Sequence, residues 1–296
     1  MIWDWIIALY LFLAGMGAGA FVLGVIAGWK CPDASKVKLA GLVIAPVAVG
    51  VGTLMLMVDA RAGLMNPLRF FGLLANPSSI MMWGVVLLSA FLLVGVVELA
   101  LQWKTKKTPK WLDVVGVLLA VGVAGYTGML LGDAHLAFPL WNQMVLPLLF
   151  LVSAASAGFA AVVLAGHALH APELEQLRFT HTTGLVLPVL EAALIAVLLM
   201  MAQAADGSAA AAGAASVAAA GAASVAALTS GAYAAPFWLG LVVVGLACPF
   251  ALELAMRAKP ELAAGPAAYV AECCVLVGGF MLRFLVIYAA VAVAVA

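Results

Sequence analysis

The sequence predicts an all-α integral membrane protein of eight transmembrane helices, arranged as two four-helix bundles with both termini on the outer, periplasmic side. Three observations predict it. Of the 296 residues, 67% are hydrophobic and only 9% are charged, where a soluble domain carries roughly a quarter charged. The apolar residues fall into eight continuous runs, each near the ~20 residues that a helix needs to cross a bilayer. Lys and Arg crowd the loops of one side only.

The runs lie at 5–29, 39–59, 79–101, 111–131, 146–168, 183–203, 234–256 and 269–294. A transmembrane barrel needs short alternating segments, and these runs do not alternate. The first run starts at Trp3 with no basic stretch before it and no cleavage site followed by a polar domain. It reads as a retained helix rather than a signal peptide. Loops on the side away from the N-terminus hold Lys30, Lys36, Lys38, Lys104, Lys106, Lys107, Lys110, Arg178, Arg257 and Lys259. The N-terminal side holds only Arg61 and Arg69, and Arg283 falls inside a span. The basic side is therefore expected in the cytoplasm of a bacterial inner membrane.

Residues 204–233 are Ala-rich and nearly repeat themselves, from Gly213 and again from Gly221. Hydropathy does not decide whether they cross the membrane. A ninth span would send Arg257 and Lys259 outward, so an outside low-complexity loop or surface helix is expected. A second repeat is longer in reach. Leu11-Phe12-Leu13-Ala14-Gly15 through Gly19-Ala20-Phe21 resembles Leu149-Phe150-Leu151-Val152-Ser153 through Ala157-Gly158-Phe159. Helix 1 thus matches helix 5 in the same orientation, which divides the chain into a first bundle at 1–135 and a second at 136–296. The small residues Gly15, Gly19, Ser153 and Ala157 suit close helix approach.

The net charge is zero, which gives no case for a nucleic-acid partner. The four cysteines, Cys31, Cys248, Cys273 and Cys274, form no CxxC and read as small apolar helix residues. No iron–sulfur cluster or other metal is expected in this chain. A haem needs His pairs deep on facing helices. His135, His167, His170 and His181 all lie near span ends, so no haem is expected either.

Ionisable groups inside spans are expensive, and each is a functional candidate. The inner half holds Glu98, Glu191, Glu253 and Glu272, and Arg283 sits near mid-membrane. Glu98, Glu253 and Glu272 lie within a turn or two of the interface, in reach of water or Lys. Glu191 is about 12 Å from the end of its helix at 1.5 Å per residue, where an acid must be paired or protonated. Arg283 is its natural counter-charge. These five residues are either structural glue or a proton path. The outer half holds Asp59, Tyr126, Asp133 and His135. A Tyr hydroxyl, a His and an acid beside apolar walls suit a quinone headgroup, whose carbonyls accept hydrogen bonds and whose reduced form loses protons on oxidation.

The motifs follow an order. Helix 1 opens with Leu11 to Gly15 and Gly19-Ala20. Asp59 is followed by Pro67-Leu68-Arg69-Phe70, Asn76-Pro77-Ser78-Ser79 and Met82-Trp83-Gly84. Then come Tyr126-Thr127-Gly128, Trp141-Asn142, Pro147 to Ser153, Phe237-Trp238, Pro249 with Glu253, Gly278-Gly279 and Leu282-Arg283. Over nearly the whole chain this order resembles the NrfD/polysulfide reductase membrane-subunit family, with residues 204–233 as an insertion. The resemblance implies two four-helix bundles without haem, and a menaquinone or menaquinol site near the outer face. Tyr126 matches the family's quinone-site tyrosine, with Asp59 and His135 beside it in the chemistry and Asp133 and Arg69 as further quinone contacts. It also implies an iron–sulfur, ferredoxin-like subunit docked there, with a molybdopterin catalytic subunit or a multihaem cytochrome beyond.

The residues themselves leave two other readings open: a secondary transporter of two parallel repeats, and a passive anchor without quinone chemistry. The charge bias makes a direct prediction. A reporter active only in the cytoplasm will be active when fused at 104–110 and silent when fused at 136–144. The reverse pattern would invert the topology.

Overall fold

The computed structural model describes residues 5–31, 35–59, 78–169, 179–211, 215–259, 261–262 and 265–295. In chain order the helices are α1 (Trp5–Lys30), α2 (Ser35–Asp59), α3 (Ile80–Thr105), α4 (Lys110–Gly132), α5 (Val145–Ala168), α6 (Phe179–Ala211), α7 (Ala215–Thr229), α8 (Pro236–Ala258) and α9 (Pro266–Val295). Among the described residues, all but α7 are long and apolar enough to cross a membrane, which gives the expected eight spans. The first part of α8, Pro236–Ala247, is π-helical, and Cys248–Ala258 is α-helical.

The spans are apolar on every face because both surroundings, lipid and neighbouring helices, are apolar. Leu93, Leu118 and Leu239 point outward and are exposed. Burial separates the helices by position. In α1, 72% of the apolar window is buried, against 28% in α3 and α6. Hence α1 is the central helix, packed on α2, α4, α5 and α9. Contacts of α1 with α2, α2 with α3, α3 with α4 and α4 with α1 close one ring. Contacts of α5 with α6, α6 with α8, α8 with α9 and α9 with α5 close another.

The rings meet along α1 and α5, the two helices that carry the repeated stretch. Their backbones touch. A Cβ on Gly19 would stand 2.0 Å from the Ala154 carbonyl oxygen, and one on Gly158 would stand 2.2 Å from the Ala20 nitrogen. Lipid gives no hydrophobic force between helices, so such close van der Waals contact is what holds them together.

The Ala-rich stretch is helical over most of its described length rather than a loop. At 33 residues, α6 is about 50 Å long, well beyond the ~30 Å hydrocarbon core. Its apolar part is Thr182–Ala204 and the rest continues past it. Helix α7 folds back on α6 and α9, burying Ser224, Val225 and Leu228. Fifteen residues reach only about 22 Å, too short to span. Ala, the best helix former, builds this hairpin without adding a crossing. Arg257 therefore stays at the same end as Lys30, Lys38 and Lys110, called here the lysine-rich end.

Substituting Gly158→Val should force α1 and α5 apart and destabilise the protein by about 1–3 kcal/mol, read as a lower thermal midpoint in detergent. Gly125, with nothing within 4 Å of its Cβ position, is the control: Gly125→Val should leave the midpoint unchanged.

Candidate functional site

Two polar regions lie at opposite ends of the helices, and a buried arginine lies between them. The first is built on Tyr126, about 9 Å from the end of α4 at 1.5 Å per residue. Its side chain is 4% exposed. The ring occupies the space above Gly84 of α3, where a Cβ would come 1.9 Å from the Tyr126 Cζ. The Trp83-Gly84 motif is thus a seat for the tyrosine. Facing it is Tyr10 of α1, fully buried. The Tyr10 hydroxyl approaches that of Tyr126 and, among the described residues, makes no fully formed hydrogen bond. Thr127, the next residue, turns its hydroxyl back to the Ala124 carbonyl at 2.6 Å.

Sequence reasoning missed Tyr10. The signal was present, because a tyrosine inside an apolar span needs a partner for its hydroxyl. Of the expected companions of Tyr126, Asp133 is exposed beyond the end of α4. The half-buried His135 ring is held by Nδ1 against the Gly132 carbonyl at 2.9 Å. No hydrogen bond joins either to Tyr126 among the described residues. Trp141 closes this end, its buried indole donating to the Val286 carbonyl at 2.8 Å. Asp59 ends α2, its side chain outside the described set, and Arg69 lies outside the described residues.

Arg283 of α9 is fully buried. Its Nε donates to the Leu11 carbonyl at 3.2 Å, and Nη1 donates to the Ser153 hydroxyl at 3.0 Å and the Gly279 carbonyl at 2.8 Å. The guanidinium lies 5.0 Å from the Phe150 ring centroid and 5.8 Å from that of Phe12. A Cβ on Gly15 would stand 2.7 Å from Nη2. The expected partner, Glu191, is 5% exposed. It meets Arg283 through Ser153 rather than in a direct ion pair. Ser153, read from sequence as a small packing residue, is therefore a polar bridge.

Towards the lysine-rich end of the second ring, Glu253 and Glu272 line a small cleft together with Ser156, Thr183, Pro188 and Pro249. Ser156 lies one turn from Ser153 on α5, so polar groups continue from the cleft towards Glu191 and Arg283. His167 stacks beside Tyr269 at 5.2 Å. Glu98 does not join these acids. It belongs to the first ring, where it is fully buried rather than in reach of water, with Lys38 nearby as expected. The reason is its face: Gly84, Leu88, Phe91, Gly95, Glu98 and Gln102 form the buried stripe of α3.

Comparison with known proteins gives a consistent answer. A family model described as polysulphide reductase, NrfD, matches residues 1–296. The C subunit of polysulfide reductase from Wolinella succinogenes is 33% identical over 98% of this protein and 94% of its own length. Protein NrfD of Escherichia coli is 32% identical over 98% and 95%. A NrfD homolog of Haemophilus influenzae is 26% identical over 98% and 94%.

Breaking the buried charge cluster from one side should be costly. Arg283→Leu is expected to lose about 3–5 kcal/mol, because it strands Glu191. The Glu191→Leu, Arg283→Leu double variant should lose less than the sum of the two singles. Strict additivity in detergent unfolding would deny the coupling through Ser153.

Proposed function

Because the chain belongs to the NrfD/polysulfide reductase family of multi-pass bacterial membrane subunits, we propose that it is the quinone-interacting subunit of a respiratory oxidoreductase. One observation carries the reading: the buried Tyr126, seated on Gly84, faces a second buried tyrosine, Tyr10, so that two hydroxyls meet inside an apolar helix end. A tyrosine hydroxyl is a donor of the kind that a menaquinone carbonyl oxygen accepts. The surroundings on α1, α3 and α4 are apolar, as the quinone ring requires. A bound quinol supplies two electrons and releases two protons on oxidation.

The residues of this chain have distinct tasks in that reading. Tyr126 and Tyr10 hold and orient the headgroup by hydrogen bonds. Asp59, Asp133 and His135, at the same end of the helices, take protons onward to water, and Arg69 adds a positive charge there. With this end outward, as the Lys and Arg distribution supports, an iron–sulfur subunit docks over it. Electrons then pass to that cluster, and from there to a molybdopterin subunit or a multihaem cytochrome. This chain positions the exchange and excludes water from it. The polar line from Glu253 and Glu272 through Ser156 and Glu191 to Arg283 is a proton path from the lysine-rich end.

Tyr126→Phe should lower quinol oxidation by about 10²-fold, the scale of one lost acid–base or hydrogen-bonding group. The complex should still assemble. Gly84→Ala should do the same with the tyrosine intact, because the new Cβ takes its place. Normal turnover in both variants would sink the site. Purification settles the class of protein: an oxidoreductase subunit brings soluble redox partners with it, whereas a transporter is active alone.

A further inference from the structure

The buried stripe of α3 ends in two polar residues one turn apart, Glu98 and Gln102. Glu98 is 0% exposed and Gln102 is 5% exposed. Among the described residues, neither carboxylate oxygen of Glu98 has a hydrogen-bond partner, and neither does Oε1 of Gln102. Apolar and glycine surfaces close in on the carboxyl. A Cβ on Gly116 of α4 would stand 2.3 Å from the Phe21 ring and 3.0 Å from Glu98 Oε1.

The charged groups that act on Glu98 are Asp113 of α4 and Lys38 of α2, and they already satisfy each other. The Lys38 ammonium lies 3.5 Å from Asp113 Oδ1 and donates to the Thr108 hydroxyl. Thr108 donates to the same carboxylate oxygen at 2.6 Å, and the Trp29 indole donates to the other at 2.8 Å. α1 adds Trp29 and Phe21, and its one nearby charge, Lys30, is exposed at the helix end. An ionised Glu98 would then be an unmatched buried charge, with Gln102 Oε1 a further unpartnered acceptor one turn away, which a low-dielectric interior does not tolerate. One proton removes both problems: it neutralises the acid and gives it an O–H to donate to Gln102 Oε1 one turn away.

We propose that Glu98 and Gln102 form a proton-binding site at the lysine-rich end of the first ring, separate from the cleft of the second. The Lys38, Thr108 and Asp113 cluster, in which Lys38 and Asp113 are buried and Thr108 is partly exposed, stands between it and solvent, and protons enter through that cluster. Between Glu98 and Gly84 the same stripe holds only Gly95, Phe91 and Leu88. No polar side chain of the stripe leads on to Tyr126, so the site loads and unloads from its own end.

Infrared difference spectroscopy of the complete complex in nanodiscs at neutral pH tests this. Wild type should show a protonated-carboxyl stretch that disappears in Glu98→Gln and moves on exchange into D₂O. Gln102→Leu should raise the frequency of that band, because the hydrogen bond to the carboxamide is lost. This second variant decides the matter if Glu98→Gln does not fold. Three results would overturn the proposal: no band lost in Glu98→Gln, a band that never exchanges with D₂O, or a band abolished by sodium chloride, which would make this a metal-cation site. None of these would touch the Tyr126 site, whose readout is quinol oxidation.

Discussion

The structure depends on one buried charge. Placing an arginine at the centre of a bilayer costs at least ~2.5–3.5 kcal/mol, and the chain surrounds Arg283 with groups that offset it. Three helices contribute oxygens: Leu11 from α1, Ser153 from α5 and Gly279 from α9 itself. Two rings, Phe12 and Phe150, present their electron-rich faces. Gly15 leaves the space that the guanidinium fills. Arg283 thus acts as the pin where the two rings of helices join.

The pin also connects the two polar ends. Tyr10, which faces Tyr126, is the residue next to Leu11, whose carbonyl Arg283 holds. On the other side, Ser153 passes from Arg283 to Glu191, above the Glu253 and Glu272 cleft. Arg283 therefore stands between the tyrosine pair and the buried acids, bonded to a carbonyl beside the one and through Ser153 to the other.

Most of the fold was legible from the lengths of the apolar runs and the one-sided basic loops. Helix α7 was not, because Ala is close to neutral in lipid and in water, so its segment carries no hydropathy signal. Tyr126 was legible from its motif, but its neighbours were not. Sequence proximity pointed to Asp133 and His135, whereas Tyr10 and Gly84 arrive from helices far away in the chain. The inner acids looked alike along the sequence. Helical phase separates them, turning Glu98 into the first ring and Glu253 towards the second.

The contact between Gly19 and Gly158 has a mechanical meaning. Two backbones at this distance form a dry seam with no side chains to slide over one another, and Arg283 fixes its register from one side. Membrane transporters work by rocking one repeat against the other around a central site, which requires a hinge where the repeats meet. Here the meeting line is a close-packed glycine seam, in which any rocking of one ring against the other would have to separate two backbones already in contact.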